Sequence, residues 1–110
     1  TAECAAIPTL VFDEVDVGIG GAVAEVVGRL LRALGERRQV LCVTHLPQVA
    51  AQAHQQLQVR KETRDGQTHT RITRLGAEAR IDEIARMLGG TTITEKTLAH
   101  AREMIERAGG

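Results

Sequence analysis

The chain has 110 residues, enough to bury one core and too few for two, so a single domain or part of one is the ceiling. Apolar residues make up 43% and charged residues 25%, a globular balance, but Phe12 is the single aromatic residue and any packed core must be aliphatic. The 14 Lys and Arg offset 14 Asp and Glu, which excludes a whole-chain basic footprint for nucleic acid or an anionic membrane, and the apolar runs are too short to cross a bilayer.

Thr1-Ala2-Glu3 lacks the charged n-region of a signal peptide, and the absence of an initiator Met suggests an excised or processed segment. Pro8 to Phe12 is an apolar run that ends in Asp13-Glu14, the pattern of a strand buried on both faces of a parallel sheet. Gly18, Gly20 and Gly21 then make a turn, after which Val23, Val26, Val27, Leu30, Leu31 and Leu34 fall on one helical stripe, with Gly35 as C-cap. Gln39 to Thr44 reads as a second buried strand, and the spacing leaves room for a right-handed crossover helix between the two. Pro47 opens a short helix through Ala53.

From Leu57 the period changes to two, with Leu57, Val59 and Lys61 on one face and Gln58, Arg60 and Glu62 on the other. Asp65-Gly66 is a hairpin turn signal, and His69 to Leu75 supplies the returning strand. Ile81, Ile84, Ala85 and Leu88 mark an amphipathic helix that stops at Gly89-Gly90. A last helix is expected with Thr92 as N-cap and Glu95 as its capping-box partner, packing through Leu98, Ala101 and Ile105. The pattern predicts an α/β fold: two parallel strands around a crossover helix, then a β-hairpin, then two C-terminal helices.

Asp13 and Glu14 stand at the C-terminal edge of a parallel strand, where ligands of open α/β sheets bind. Adjacent side chains diverge there, so Asp13 can hold Mg²⁺, directly or through water, while Glu14 acts as general base on a water near a γ-phosphate. Taken alone, the pair also reads as solvated carboxylates where a strand meets a loop. Thr44-His45 closes the neighbouring βα unit and should fall on the same edge, where the imidazole can donate to a phosphate oxygen or order the attacking water.

These residues carry a resemblance. PTLVFDEVDVGIGG at positions 8 to 21 and VTHLPQVA at 43 to 50 resemble the RecN family of SMC-like DNA-repair ATPases, whose heads are ABC-type. KET at 61 to 63, RIDEIARMLGG at 80 to 90 and the closing helix extend the likeness over essentially the whole chain. The resemblance implies the C-terminal part of a P-loop ATPase head, using ATP and Mg²⁺. Asp13 would coordinate Mg²⁺ through water, Glu14 would be the catalytic base of a Walker B strand, and His45 would sense the γ-phosphate. Asp16, Val17, Gly18, Ile19 and Gly20 would form the D-loop that crosses between two heads, with Gly20 where related loops usually end in Asp.

No G-x-x-x-x-G-K-[ST] and no LSGGE-like signature occur, so the chain holds half of a composite site and is expected to be inactive alone. The implied partners are the N-terminal lobe of the same head, a second head in an ATP-bound homodimer, and DNA through the full-length protein. The implied role is recombinational repair of DNA double-strand breaks, in the cytoplasm at the bacterial nucleoid, without a membrane. The rival class is a non-catalytic docking module that keeps the ATPase fold.

Weaker patterns point elsewhere. Gly18-Ile19-Gly20-Gly21 invites a dinucleotide-binding reading, but Val23 stands where the fingerprint needs Gly or Ala, and Asp13, Glu14 and Asp16 repel a pyrophosphate. A zinc site from Cys4, Cys42, His45 or His54 lacks the usual short ligand spacings, so both cysteines are expected as reduced, buried thiols. The hairpin basics Arg60, Lys61, Arg64, Arg71 and Arg74 could touch DNA phosphates, although a solvated face explains them better and no aromatic residue is present for stacking.

Overall fold

The computed structural model describes residues 9–13, 18, 20–89 and 92–109. In chain order these form β1 (Thr9–Asp13), α1 (Gly21–Gly35), β2 (Gln39–Val43), α2 (Pro47–Ala50), β3 (Leu57–Arg64), β4 (Gln67–Arg74), α3 (Ala77–Leu88) and α4 (Glu95–Arg107). The α/β layout expected from the sequence is present in this order. No described helix is long and apolar enough to cross a membrane.

β1 and β2 pair in parallel, Thr9 opposite Gln39 through Asp13 opposite Val43, with α1 as the crossover that parallel pairing requires. The expectation of burial on both faces is corrected. Leu10, Phe12, Val40 and Cys42 are half-buried, whereas Val11, Leu41 and Val43 on the opposite face are exposed, Val11 at 61%. The physical reason is the size of the sheet: among the described residues it has two strands, and one crossover helix covers at most one face.

The predicted stripe of α1 is corrected as well. Its buried residues are Ala24 and Gly28, while Val23, Val26 and Leu30 are exposed and Val27, Leu31 and Leu34 half-buried. Small residues win because α2 lies very close to α1. A Cβ on Gly28 would come within 2.8 Å of Gln52 Cγ, 3.1 Å of the Gln48 carbonyl oxygen and 3.2 Å of Val49 Cα. Nor is Gly35 a left-handed cap, since α1 runs through it and closes at Glu36 in right-handed geometry, the Glu36 N–H donating to the Ala33 carbonyl and the Arg37 and Arg38 N–H groups to that of Leu34.

β3 and β4 form the expected antiparallel hairpin, from Leu57 opposite Arg74 to Arg64 opposite Gln67. Asp65 at φ 50° and Gly66 at φ 76° both take the left-handed conformation that a type I′ turn demands, which explains the Asp-Gly pair. The hairpin base is tied by the Leu75 N–H donating to the Gln56 carbonyl at 3.0 Å.

The core lies among the helices: Ala50 and Ala51 beside α2, Ile84 and Ala85 of α3, and Ala101 and Ile105 of α4, with Ile81, Met87, Leu88, Leu98 and Met104 packed around them. Ile84 is its one large, fully buried side chain among the described residues. The cap of α4 is Thr94, not Thr92: its hydroxyl accepts from the Thr97 N–H at 3.2 Å. Glu95 is then the first helical residue, where its carboxylate favours the helix dipole but cannot close a capping box. Gly89 ends α3 as the sequence predicts.

Candidate functional site

The parallel register decides the site. Asp13 lies opposite Val43, the last residue of β2, so Thr44-His45 leaves the sheet at the level of the Asp13 carboxylate. Asp13 and His45 therefore share the C-terminal edge, and both are exposed. Glu14, Asp16, Val17 and Ile19 lie outside the described residues, as does Cys4. Of the expected D-loop, Gly18 and Gly20 are described: Gly18 is exposed with φ +81°, and Gly20 is the extended N-cap of α1 without a side-chain cap.

The segment after His45 is built tightly. Thr44 Oγ1 accepts from the Leu46 N–H at 3.0 Å, Leu46 is the extended N-cap of α2, and Pro47 occupies its first turn without losing a needed donor. Gln48 reaches across to the start of α1, where its Nε2 would be 3.3 Å from a Cβ on Gly21. The glycine thus leaves room for Gln48, three residues after His45, to lie against the first residue of α1.

At the far end of α2, Arg80 donates from Nη2 to the carbonyls of Ala50, Ala51 and Ala53 at 3.2, 3.1 and 2.7 Å, and from Nε to Gln56 Oε1 at 3.2 Å. Arg32 adds a 2.7 Å bond from Nη1 to the Gln52 carbonyl. Burial, and then the positive charge of Arg32, push Arg80 below the usual guanidinium range. Periodicity alone did not single out Arg80. Its signal is there nonetheless: an arginine four residues before Ile84, on the apolar stripe of α3, must be buried and must find acceptors.

Glu83 docks the hairpin onto α3. It accepts from Gln58 Nε2 at 2.9 Å and takes a forked pair from Arg86, Nε at 2.7 Å and Nη2 at 2.6 Å. Arg86 holds the Glu83 carboxyl below the usual carboxylate range although burial pushes the other way, and the same bonds raise Arg86. The hairpin's own charges are exposed apart from Glu62, which is half-buried. Glu62 lies 3.6 Å from Arg64 and 3.7 Å from Arg71, which offsets part of the local positive excess expected to meet DNA. His69 and His100 are exposed, and Cys42 is half-buried. Among the described residues, no three His, Cys, Asp or Glu side chains gather as a metal cluster.

No protein-family model matches the chain. Curated relatives do. The DNA repair protein RecN of Vibrio cholerae is 59% identical over 105 residues, covering 96% of this chain and 19% of the relative. RecN of Haemophilus influenzae is 58% identical over 106 residues, with 96% and 19% covered. RecN of Bacillus subtilis is 41% identical over 102 residues, with 93% and 18% covered. The chain thus spans about a fifth of the length of the relatives it matches. In fold it is similar to a solved chain from structural work on ATP-driven dimerization and DNA-stimulated activation of SMC ATPases. The TM-score is 0.60 at 19% identity, over 77% of this chain and 50% of that one.

Proposed function

We infer, from the chain's membership of the RecN family of DNA repair proteins, that it is the C-terminal portion of an ABC-type ATPase head and carries one half of a composite ATP site. The observation that carries this reading is the register that brings Asp13 and His45 to one edge of a parallel sheet. The donor chemistry fits Mg²⁺, which keeps most of its waters and needs only one or two carboxylates: Asp13 presents an exposed carboxylate at that edge. Asp13 would hold the ion through water, and Mg²⁺ bound there would neutralise charge on the β- and γ-phosphates.

Glu14, the next residue, accepts the proton of the attacking water, and His45 donates a hydrogen bond to a γ-phosphate oxygen. Asp16 to Gly20 form the D-loop at the interface between two heads, with Gly20 in place of the usual acid. The N-terminal lobe supplies the phosphate-binding loop, a second head closes on ATP as a homodimer, and DNA is engaged by the full-length protein. The work done is recombinational repair of double-strand breaks in the bacterial cytoplasm, at the nucleoid.

A docking module that keeps the fold without catalysis is the second reading, favoured by the exposed Val11, Leu41 and Val43 beside the site. Measuring Mg²⁺-dependent ATP binding and hydrolysis by the chain alone, and after mixing with the remainder of its head, separates the two. Turnover that appears on mixing, and falls by about a hundredfold or more with Glu14→Gln, is expected of a general base. A mixture that assembles but never turns over, or a Glu14→Gln variant with full activity, would establish the docking reading instead.

A further inference from the structure

The single turn of α2 begins two residues after His45, and a helix of 4 residues cannot hold its own place. Its position must come from outside. The carbonyls of Ala50, Ala51, Gln52 and Ala53 each accept a guanidinium hydrogen bond, three from Arg80 of α3 and one from Arg32 of α1. Water could satisfy the end of a surface turn without burying a cation. Arg80 is instead 8% exposed and close enough to Arg32 to feel its charge, an arrangement that costs desolvation and repulsion. Such a cost is consistent with a geometric role.

The coupling back to His45 is short. The Val49 and Ala50 N–H groups both donate to the Leu46 carbonyl, at 3.1 Å each, and the Leu46 N–H donates to Thr44 Oγ1. Any slide or rotation of α2 therefore displaces the residue between Thr44 and Leu46. We propose that Arg80, assisted by Arg32, is a positioning residue that sets where His45 stands at the edge of β1 and β2. The proposal rests on the reading of His45 as the phosphate-sensing group. It gives the helical core of α3 and α4, remote from the sheet edge in sequence, a part in the site.

The test uses the full-length protein that carries this segment. Arg80→Lys keeps the cation and loses the planar fork. Arg32→Gln leaves the buried arginine in place and keeps the question open if Arg80→Lys fails to fold. The first readout needs no nucleotide: amide hydrogen exchange at residues 49–53, whose N–H groups bond within this turn. Exchange there should accelerate roughly tenfold in either variant while the amides of α4 keep their protection. Unchanged exchange at 49–53, or equal acceleration in α4, overturns the clamp.

The second readout is a double-mutant cycle with His45→Ala. Arg80→Lys should lower kcat for ATP roughly tenfold with KM retained, and should lower it no further when His45 is already Ala. Equal losses in both backgrounds mean that Arg80 does not act through His45 and overturn the proposal. Full turnover by His45→Ala alone overturns the functional reading and this assignment to the site, an outcome distinct from failure of the clamp because the exchange experiment does not depend on it.

Discussion

The helical part of the chain and the β1–α1–β2 unit bury their apolar residues very differently. Around α2, α3 and α4, six residues form a contiguous buried cluster, and every predicted core position of α3 and α4 points into it or packs on it. In the β1–α1–β2 unit, Val11, Val23, Val26, Leu30, Leu41 and Val43 remain exposed, and the closest packing is made by Ala24 and Gly28. Three short helices can satisfy one another's apolar stripes. A two-stranded sheet has two faces and, among the described residues, one crossover helix beside it. The candidate site thus stands on the unit whose apolar surface is less satisfied; hydrogen bonds from Arg80 of α3 tie the segment behind His45 to the better-packed half, and one from Arg32 of α1 ties it to the strand unit.

Ile84→Ala probes the helical side of this contrast with the largest expected effect. A fully buried isoleucine with no exposed surface should cost about 3 to 4 kcal/mol on truncation, read as a shift of the urea midpoint. A loss below about 1 kcal/mol would show that this core is no tighter than the strand unit.

Glu83→Ala comes next, at about 2 kcal/mol, since it removes charge-assisted bonds from Arg86 and one from Gln58. The pH dependence follows from the same bonds. Because Arg86 depresses the folded carboxyl, the unfolded chain takes up the proton first as pH falls. The stabilisation is therefore complete above the ordinary carboxylate pKa and is lost as pH drops through the lower, folded one. Glu83→Gln should remove this acid-side slope in a denaturation series, and an unchanged slope would assign it to other groups.

Gly28→Ala tests the close approach of α1 and α2. Its Cβ meets backbone at 3.1 and 3.2 Å, so the gain in helix propensity should be outweighed and a net loss of about 1 kcal/mol observed. Stabilisation instead would mean that α2 can retreat. The smallest effect belongs to Leu30→Ser. With Leu30 66% exposed, the change should stay within about 0.5 kcal/mol in this chain, and a larger cost in the full-length protein would identify the face as one that the rest of the head covers.

Much of the layout was legible in advance because it rests on local rules. Asp65-Gly66 favours a type I′ turn between two strands, and the 3.6-residue spacing of Ile81, Ile84, Ala85 and Leu88 marks the stripe that α3 packs into the core. The strand-end placement of Asp13 and of His45 was also readable, each from an apolar run that stops at a polar residue. That the two stand at one edge needed only a parallel crossover, and the register bears this out.

What failed depended on partners. The stripe on α1 was read from hydrophobicity, but burial there falls on Ala24 and Gly28, and at Gly28 it is the missing side chain that lets α2 approach. Thr92 offered a complete capping box, yet the cap belongs to the hydroxyl whose third successor presents its N–H, and that is Thr94 with Thr97. Arg80 was not singled out by periodicity, because its acceptors are carbonyls that α2 and the residues after it present. The sequence by itself determined the element types, the turn, the helical core and the two strand ends, because each follows from short-range periodicity and backbone chemistry. The tertiary structure alone decided which faces are covered and which carbonyls the arginines hold, since burial and buried hydrogen bonds depend on what a residue meets in space.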